Sequence, residues 1–171
     1  MSRSIAIMVC VVSTAAYAGP SERDNYVDGK VILGYEELPG IASMLITGAG
    51  LEFGRRVTGH VWLHGALGAG TAASFDRYHG DYLAAQAGLE GRVCADVVCG
   101  TVAVDAAAIH ITQVYDPVHT GVDYTAPGGF VRVGGDAGGP RVRARLILEA
   151  GHALSHAGYV ADLSLGLSVH F

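Results

Sequence analysis

The last segment of the chain, residues 159–171, alternates between apolar and other side chains and ends on the aromatic Phe171. Counting back from Phe171, every second residue as far as Tyr159 is apolar. The other positions carry His170, Ser168, Gly166, Ser164 and Asp162. Because successive side chains of a strand point to opposite faces, this pattern predicts a strand with one apolar and one polar face. Such a strand is long for a soluble protein, but it suits a tilted crossing of a bilayer.

The amino terminus has the pattern of an export signal. Arg3 precedes an apolar stretch at 5–12, and Ala16-Tyr17-Ala18 supplies the small-x-small pattern of a cleavage site. The apolar stretch is shorter than the ~20 residues that a membrane-spanning helix needs. The sequence therefore predicts a signal peptide over 1–18, then a short periplasmic segment over 19–26.

Composition restricts the classes of function. The chain has 16 acidic and 11 basic residues, so it lacks the basic excess typical of a nucleic-acid partner. Half of the residues are hydrophobic, yet beyond the signal peptide they are spread through alternating segments. Lys30 is the only lysine, whereas a soluble barrel is expected to cover its outside with Lys and Glu. Arginine is better suited to enclosed ion pairs.

A period of two residues recurs along the mature chain and predicts eight strands. Their predicted ranges are 27–37, 41–54, 58–70, 80–93, 100–111, 123–134, 141–151 and 159–171. An even number of strands places both chain ends on one side, with short turns at 55–57, 94–99 and 135–140. We therefore predict an all-β fold over 27–171, an eight-stranded antiparallel up-and-down transmembrane β-barrel with a side-chain-filled interior.

The seventh strand shows which face points inward. Val142 and Leu148 belong to its apolar face, and Arg141, Arg143 and Arg145 belong to the other. Each arginine would cost roughly 2 to 4 kcal/mol if it faced lipid near the midplane, so we expect the arginine face to line the lumen. The same alternation assigns an interior charge network to Lys30, Glu36, Glu52, Glu90, Arg92, Asp105, Arg132, Arg143, Arg145, Glu149 and Asp162. An eight-stranded barrel is just wide enough for side chains to fill, so these charges are expected to close it.

Aromatic residues support the same arrangement. Tyr35 and Tyr159 fall near the outer ends of their strands, and Phe53 and Phe171 near the inner ends, all on the apolar face. Trp62 is ambiguous, because its position points inward or else indicates an error of register in the third strand.

The chain resembles the small eight-stranded outer-membrane barrels of the OmpA transmembrane-domain and OmpX kind. The resemblance rests on the terminal strand ending in Phe171, the signal peptide, the strand count and the mixed charges of the interior. It implies a monomer in the outer membrane of a Gram-negative cell, in contact with lipid. It also implies that Phe171 is an assembly signal read by the barrel-assembly machinery. It implies no particular activity, because this architecture carries many.

Cys94 and Cys99 are the cysteines that remain after the signal peptide is removed. In an oxidising compartment a pair this close favours a disulfide over a metal site. The two residues would flank the turn between the fourth and fifth strands, where opposed positions come near enough for bridging.

Other functions remain open alternatives. A lipid-modifying enzyme could use Ser155, His156 and Asp162, and a metal site at the rim could use His110, His119, His152 and His156. The segments 74–79 and 114–117 mix aromatic and charged groups, as recognition loops for an extracellular partner do. A small-ligand-binding or pore protein is a further alternative, and a soluble lipocalin-like barrel is the alternative fold. We predict no enzymatic activity, no metal and no cofactor.

Overall fold

This computed structural model describes residues 24–38, 42–73, 78–115, 120–153 and 158–171. The described residues form eight strands. They are β1 (Asn25–Leu38), β2 (Ala42–Thr58), β3 (Val61–Ala73), β4 (Tyr78–Ala95), β5 (Val98–Tyr115), β6 (Thr120–Gly138), β7 (Val142–Ala153) and β8 (Gly158–His170). The signal peptide predicted over 1–18 lies outside these ranges and stays a prediction.

Each strand pairs antiparallel with the next one in the chain, and β8 pairs with β1 to close the barrel. At the closing seam, Asn25 N donates to Phe171 O at 3.1 Å and Phe171 N donates to Asn25 O at 2.9 Å. Both ends of the described barrel therefore meet at one rim. This closure pairs the backbone polar groups that a sheet edge would expose, and it confirms the predicted fold class.

The two faces of the sheet differ in polarity as the alternation predicts. Large apolar side chains cover the outside, and the exposed fraction reaches 66% for Leu67 and 64% for Val104. The predicted aromatic positions Tyr35, Phe53 and Tyr159 are also exposed on this face. Because a lipocalin-like barrel has its apolar face inside, this orientation contradicts the alternative fold.

The interior has two layers. An apolar cluster fills the half toward the loops, and its members include Met44, Ile46, Tyr82, Ile109, Ile111, Phe130 and Val160. A charged layer fills the half toward the short turns. Glycines make room for large neighbours in both layers: a side chain at Gly54 would overlap the ring of Tyr26, and one at Gly151 the ring of Phe130.

The turns are tighter than predicted, because the strands continue beyond their predicted ends. Residues 55–57, predicted as a turn, belong to β2, and the chain reverses instead at Gly59, whose φ is 32°. The β4–β5 reversal narrows to Asp96 and Val97, with Asp96 at a φ of 55°. Aspartate tolerates this left-handed conformation better than most residues, so the two-residue turn needs no glycine. β6 likewise extends to Gly138, within the turn predicted at 135–140.

Candidate functional site

The charged layer of the lumen is organised around Glu52 on β2. Its Oε1 accepts hydrogen bonds from Arg145 Nη1 at 2.9 Å and from Tyr26 Oη at 2.7 Å. Its Oε2 accepts from Arg132 Nη2 at 2.8 Å and from Lys30 Nζ at 3.4 Å. Glu52 is only 1% exposed, and burying a charged carboxylate costs free energy unless it has partners. Here three cations compensate its charge.

Arg132 connects Glu52 to acidic residues on β5 and β7. Its Nη1 lies 3.3 Å from Asp105 Oδ2, and its Nε lies 3.7 Å from Glu149 Oε2. His64 adds a third contact there, with Nε2 placed 2.7 Å from Asp105 Oδ1. β2, β3, β5, β6 and β7 are thereby joined through side chains that meet inside the barrel.

Arg145 connects Glu52 to acidic residues on β4 and β1. It forms an ion pair with Glu90 and lies 3.7 Å from Asp28 Oδ2. Arg92 continues the chain of contacts, donating to Glu90 Oε1 at 2.9 Å. The guanidinium of Arg92 also lies 5.0 Å from the ring centre of Tyr26. Such stacking favours a cation that has lost its water.

A second group of contacts lies at the β4–β5 turn. Arg143 forms an ion pair with Asp136, and its Nη2 lies 2.8 Å from Cys99 Sγ. The same nitrogen donates to Val97 O at 3.2 Å. Cys94 and Cys99 are joined by a disulfide between directly opposed positions, 3.9 Å apart at Cα. The disulfide predicted for this hairpin is therefore present.

The structure brings together most of the residues predicted to form the interior network. Nine of the eleven take part in the ion pairs just described: Lys30, Glu52, Glu90, Arg92, Asp105, Arg132, Arg143, Arg145 and Glu149. Glu36 is buried in the apolar layer, and no described residue hydrogen-bonds to its carboxylate. Asp162 is partly exposed and borders a small cavity together with Lys30 and Glu149. Arg141, expected on the inner face, is exposed because β7 begins only at Val142.

Sequence reasoning missed several interior residues. The turn predicted at 135–140 includes Asp136, which lies instead on β6 and faces inward. Asp28 lies two residues before Lys30 and therefore points to the same face of the strand. This signal could have identified it. Tyr26 lies just before the predicted start of the first strand at residue 27, whereas β1 begins at Asn25. The structure places Trp62 on the inner face with 1% exposure, which resolves its ambiguous position without a change of register.

The histidines do not converge on one point in the described part of the chain. His64 is inside the barrel, whereas His110 contacts Thr125 at 2.8 Å and His152 packs edge-on against Tyr159. Among the described residues, no group of three or more His, Cys, Asp or Glu side chains is arranged to hold a metal ion. His119 and His156 lie outside the described residues.

The candidate catalytic residues Ser155 and His156 also lie outside the described residues, as do most of the predicted recognition loops. Within the described ranges, no helix has the length and apolar character needed to cross a membrane.

Eight antiparallel strands, a closed seam, an apolar outside and a charged inside define the fold of the small outer-membrane β-barrels. Comparison with solved structures finds this fold in Neisserial surface protein A, with a TM-score of 0.72, 12% identity, and coverage of 86% of this chain and 97% of that one. Ail, the attachment invasion locus protein of Yersinia pestis, matches with a TM-score of 0.66, 12% identity, and coverage of 88% and 100%.

The N-terminal β-barrel domain of Pseudomonas aeruginosa OprF shares the fold with a TM-score of 0.56, 17% identity, and coverage of 85% and 98%. No protein-family model and no curated protein sequence matches the chain. These likenesses extend over almost the whole length of each neighbour, and they establish the fold.

Proposed function

We propose that this chain is a monomeric outer-membrane protein whose barrel has a structural or surface-interaction role and a closed lumen. The observation that carries the proposal is the pairing of an apolar outside with an ion-paired inside. Exposed side chains such as Leu51, Leu67 and Leu167 would order water over a large area in a soluble protein. Lipid removes that cost, so the outer face is suited to a bilayer.

The ion-paired layer favours a closed barrel over a pore. Side chains from β2, β6 and β7 meet at Glu52 in the centre of the lumen. An ion crossing this layer would have to displace groups whose charges are already compensated by one another. The proposed barrel therefore conducts no steady current.

The surface-interaction role depends on the loops opposite the turn rim. A solved structure of Ail contains the heparin analogue sucrose octasulfate, a polyanion. In this chain, every cationic side chain of the described ranges lies in the interior or near the turn rim, as in Lys30, Arg132 and Arg141. The described part of the loop rim thus offers no lysine or arginine side chain to a polyanion.

Cell fractionation tests the location. The full chain, expressed in a Gram-negative host, should appear in the outer-membrane fraction and require detergent for extraction. Unheated samples should migrate differently from boiled samples on a gel, because a closed barrel resists the detergent until it is heated. A matched chain lacking residues 1–18 should stay out of that fraction. Extraction of the full chain without detergent would contradict the proposal.

A strain from which the protein has been deleted separates the structural role from the surface-interaction role. Loss of the protein should raise sensitivity to bile salts if the barrel supports the envelope. The native chain and a variant with residues 74–77 replaced by Gly and Ser should then restore resistance equally. Restoration by the native chain alone would assign the role to the loops. The predicted lack of enzymatic activity is tested separately by the lipid A profile of expressing cells, which should be unchanged.

A further inference from the structure

The two sulfur atoms of the Cys94–Cys99 disulfide have different surroundings. Cys99 faces the interior and is 1% exposed, whereas Cys94 is partly exposed at the turn rim. The hairpin tip beyond them, formed by Asp96 and Val97, is exposed. A reagent that approaches the rim from outside therefore reaches Cys94 before Cys99.

The guanidinium of Arg143 lies beside the sulfur of Cys99. Its Nη2 is 2.8 Å from Cys99 Sγ, and the same group is oriented by its ion pair with Asp136 and its hydrogen bond to Val97 O. A neighbouring cation stabilises a thiolate, and a sulfur that leaves as a stabilised thiolate departs faster in disulfide exchange. The site thus has a more exposed cysteine to attack and a sulfur beside a cation to release.

We propose that this disulfide is a thiol-exchange site that takes a small-molecule thiol onto Cys94. The thiolate of the small molecule attacks Cys94 Sγ and forms a new sulfur–sulfur bond there. The bond between Cys94 and Cys99 breaks, and its electron pair leaves on Cys99 Sγ, where Arg143 stabilises the anion. In the reverse reaction, Cys99 attacks the adduct and expels the small thiol. Nothing beyond the thiol is consumed, and the site is independent of the role proposed for the barrel.

The position of the adduct tests the proposal on the native protein. The folded protein in detergent is exposed briefly to glutathione, quenched with acid and labelled with a maleimide. Fragmentation mass spectrometry should find glutathione on Cys94 and the maleimide on Cys99. Glutathione on Cys99, or an equal distribution between the two residues, would overturn the proposal.

Substitution of the arginine tests the leaving-group role. Arg143→Ala should slow cleavage of the disulfide by glutathione roughly fivefold to tenfold. Arg141→Ala is the matched control, since this exposed arginine lies in the neighbouring turn, and it should leave the rate unchanged. Only protein that shows heat-modifiable migration is counted as folded. If Arg143→Ala does not fold, Arg143→Gln serves instead, since it removes the charge and keeps a long polar side chain, and it should also be slower than native. Equal rates for the native protein and the folded Arg143 variant would overturn the assignment.

Discussion

Arg145 on β7 and Glu52 on β2 are separated by 93 positions in the chain, and their side chains share a hydrogen bond of 2.9 Å inside the barrel. Glu52 also accepts from Arg132 on β6. One carboxylate thus connects strands that are not neighbours in the sheet. The lumen is held together by these contacts as well as by the hydrogen bonds between adjacent strands.

Glu52→Gln should destabilise the barrel strongly. The amide keeps the shape of the side chain but removes the charge that compensates Arg132, Arg145 and Lys30, and breaking a buried ion pair in this way costs about 3 to 5 kcal/mol. Urea unfolding in detergent micelles measures the change. Glu37→Gln is the control, because Glu37 is exposed on the same sheet, and it should unfold at the native urea concentration. Equal midpoints for both variants would contradict the central role of Glu52.

The native barrel should give no steady conductance in a planar bilayer. The ion pairs of Arg132 and Arg145 with Glu52 occupy the centre of the lumen. Single-channel recording is the measurement, with a sample that has been boiled and not refolded as the control for detergent artefacts. A reproducible large open state of the folded protein would contradict the closed lumen.

Leu148→Arg should impair folding into lipid vesicles. Leu148 is 59% exposed midway along β7, where an arginine facing lipid costs roughly 2 to 4 kcal/mol. Val97→Arg adds the same charge at the exposed turn and should have little effect. Folding yield into vesicles, read from gel migration, compares the two. Equal yields would mean that the outer face does not meet lipid at this height.

Removal of the disulfide should weaken the barrel only moderately. The loop closed by Cys94 and Cys99 is short, so its loss is expected to cost about 2 kcal/mol in the chain-entropy description. The variant with both cysteines replaced by serine should still fold. It should unfold at a lower urea concentration than the native protein. Mass spectrometry of the unreduced native protein supplies the check on the premise, and two free thiols there would contradict it.

Phe171→Ala should reduce the amount of protein assembled in the outer membrane. Its side chain is 53% exposed on the apolar face, and its backbone closes the seam with Asn25 in a way that alanine preserves. Refolding of the purified variant in detergent should therefore remain close to native. Val169→Ala removes apolar area from the same face of β8 and should assemble normally. Normal assembly of Phe171→Ala would contradict its role as an assembly signal.

The alternation of side chains was enough to predict the fold, because a period of two residues distinguishes the faces of a strand without any knowledge of its partners. The arginines of β7 then decided which face is inside, since their charge is costly in lipid. The same reasoning placed Glu52, Arg132 and Arg145 in the interior. It also placed Glu36 there, where the structure shows it without an ion pair among the described residues.

The sequence by itself therefore determined the number of strands, the two faces of the sheet and most of the charges available to the lumen. Only the tertiary structure decided which charges meet. The contact of Glu52 with Arg145 depends on barrel closure and on the stagger between strands, neither of which is encoded in the local pattern. The turns depended on the tertiary structure too, because pairing with a neighbouring strand extends β2 and β6 beyond the residues whose alternation is clear.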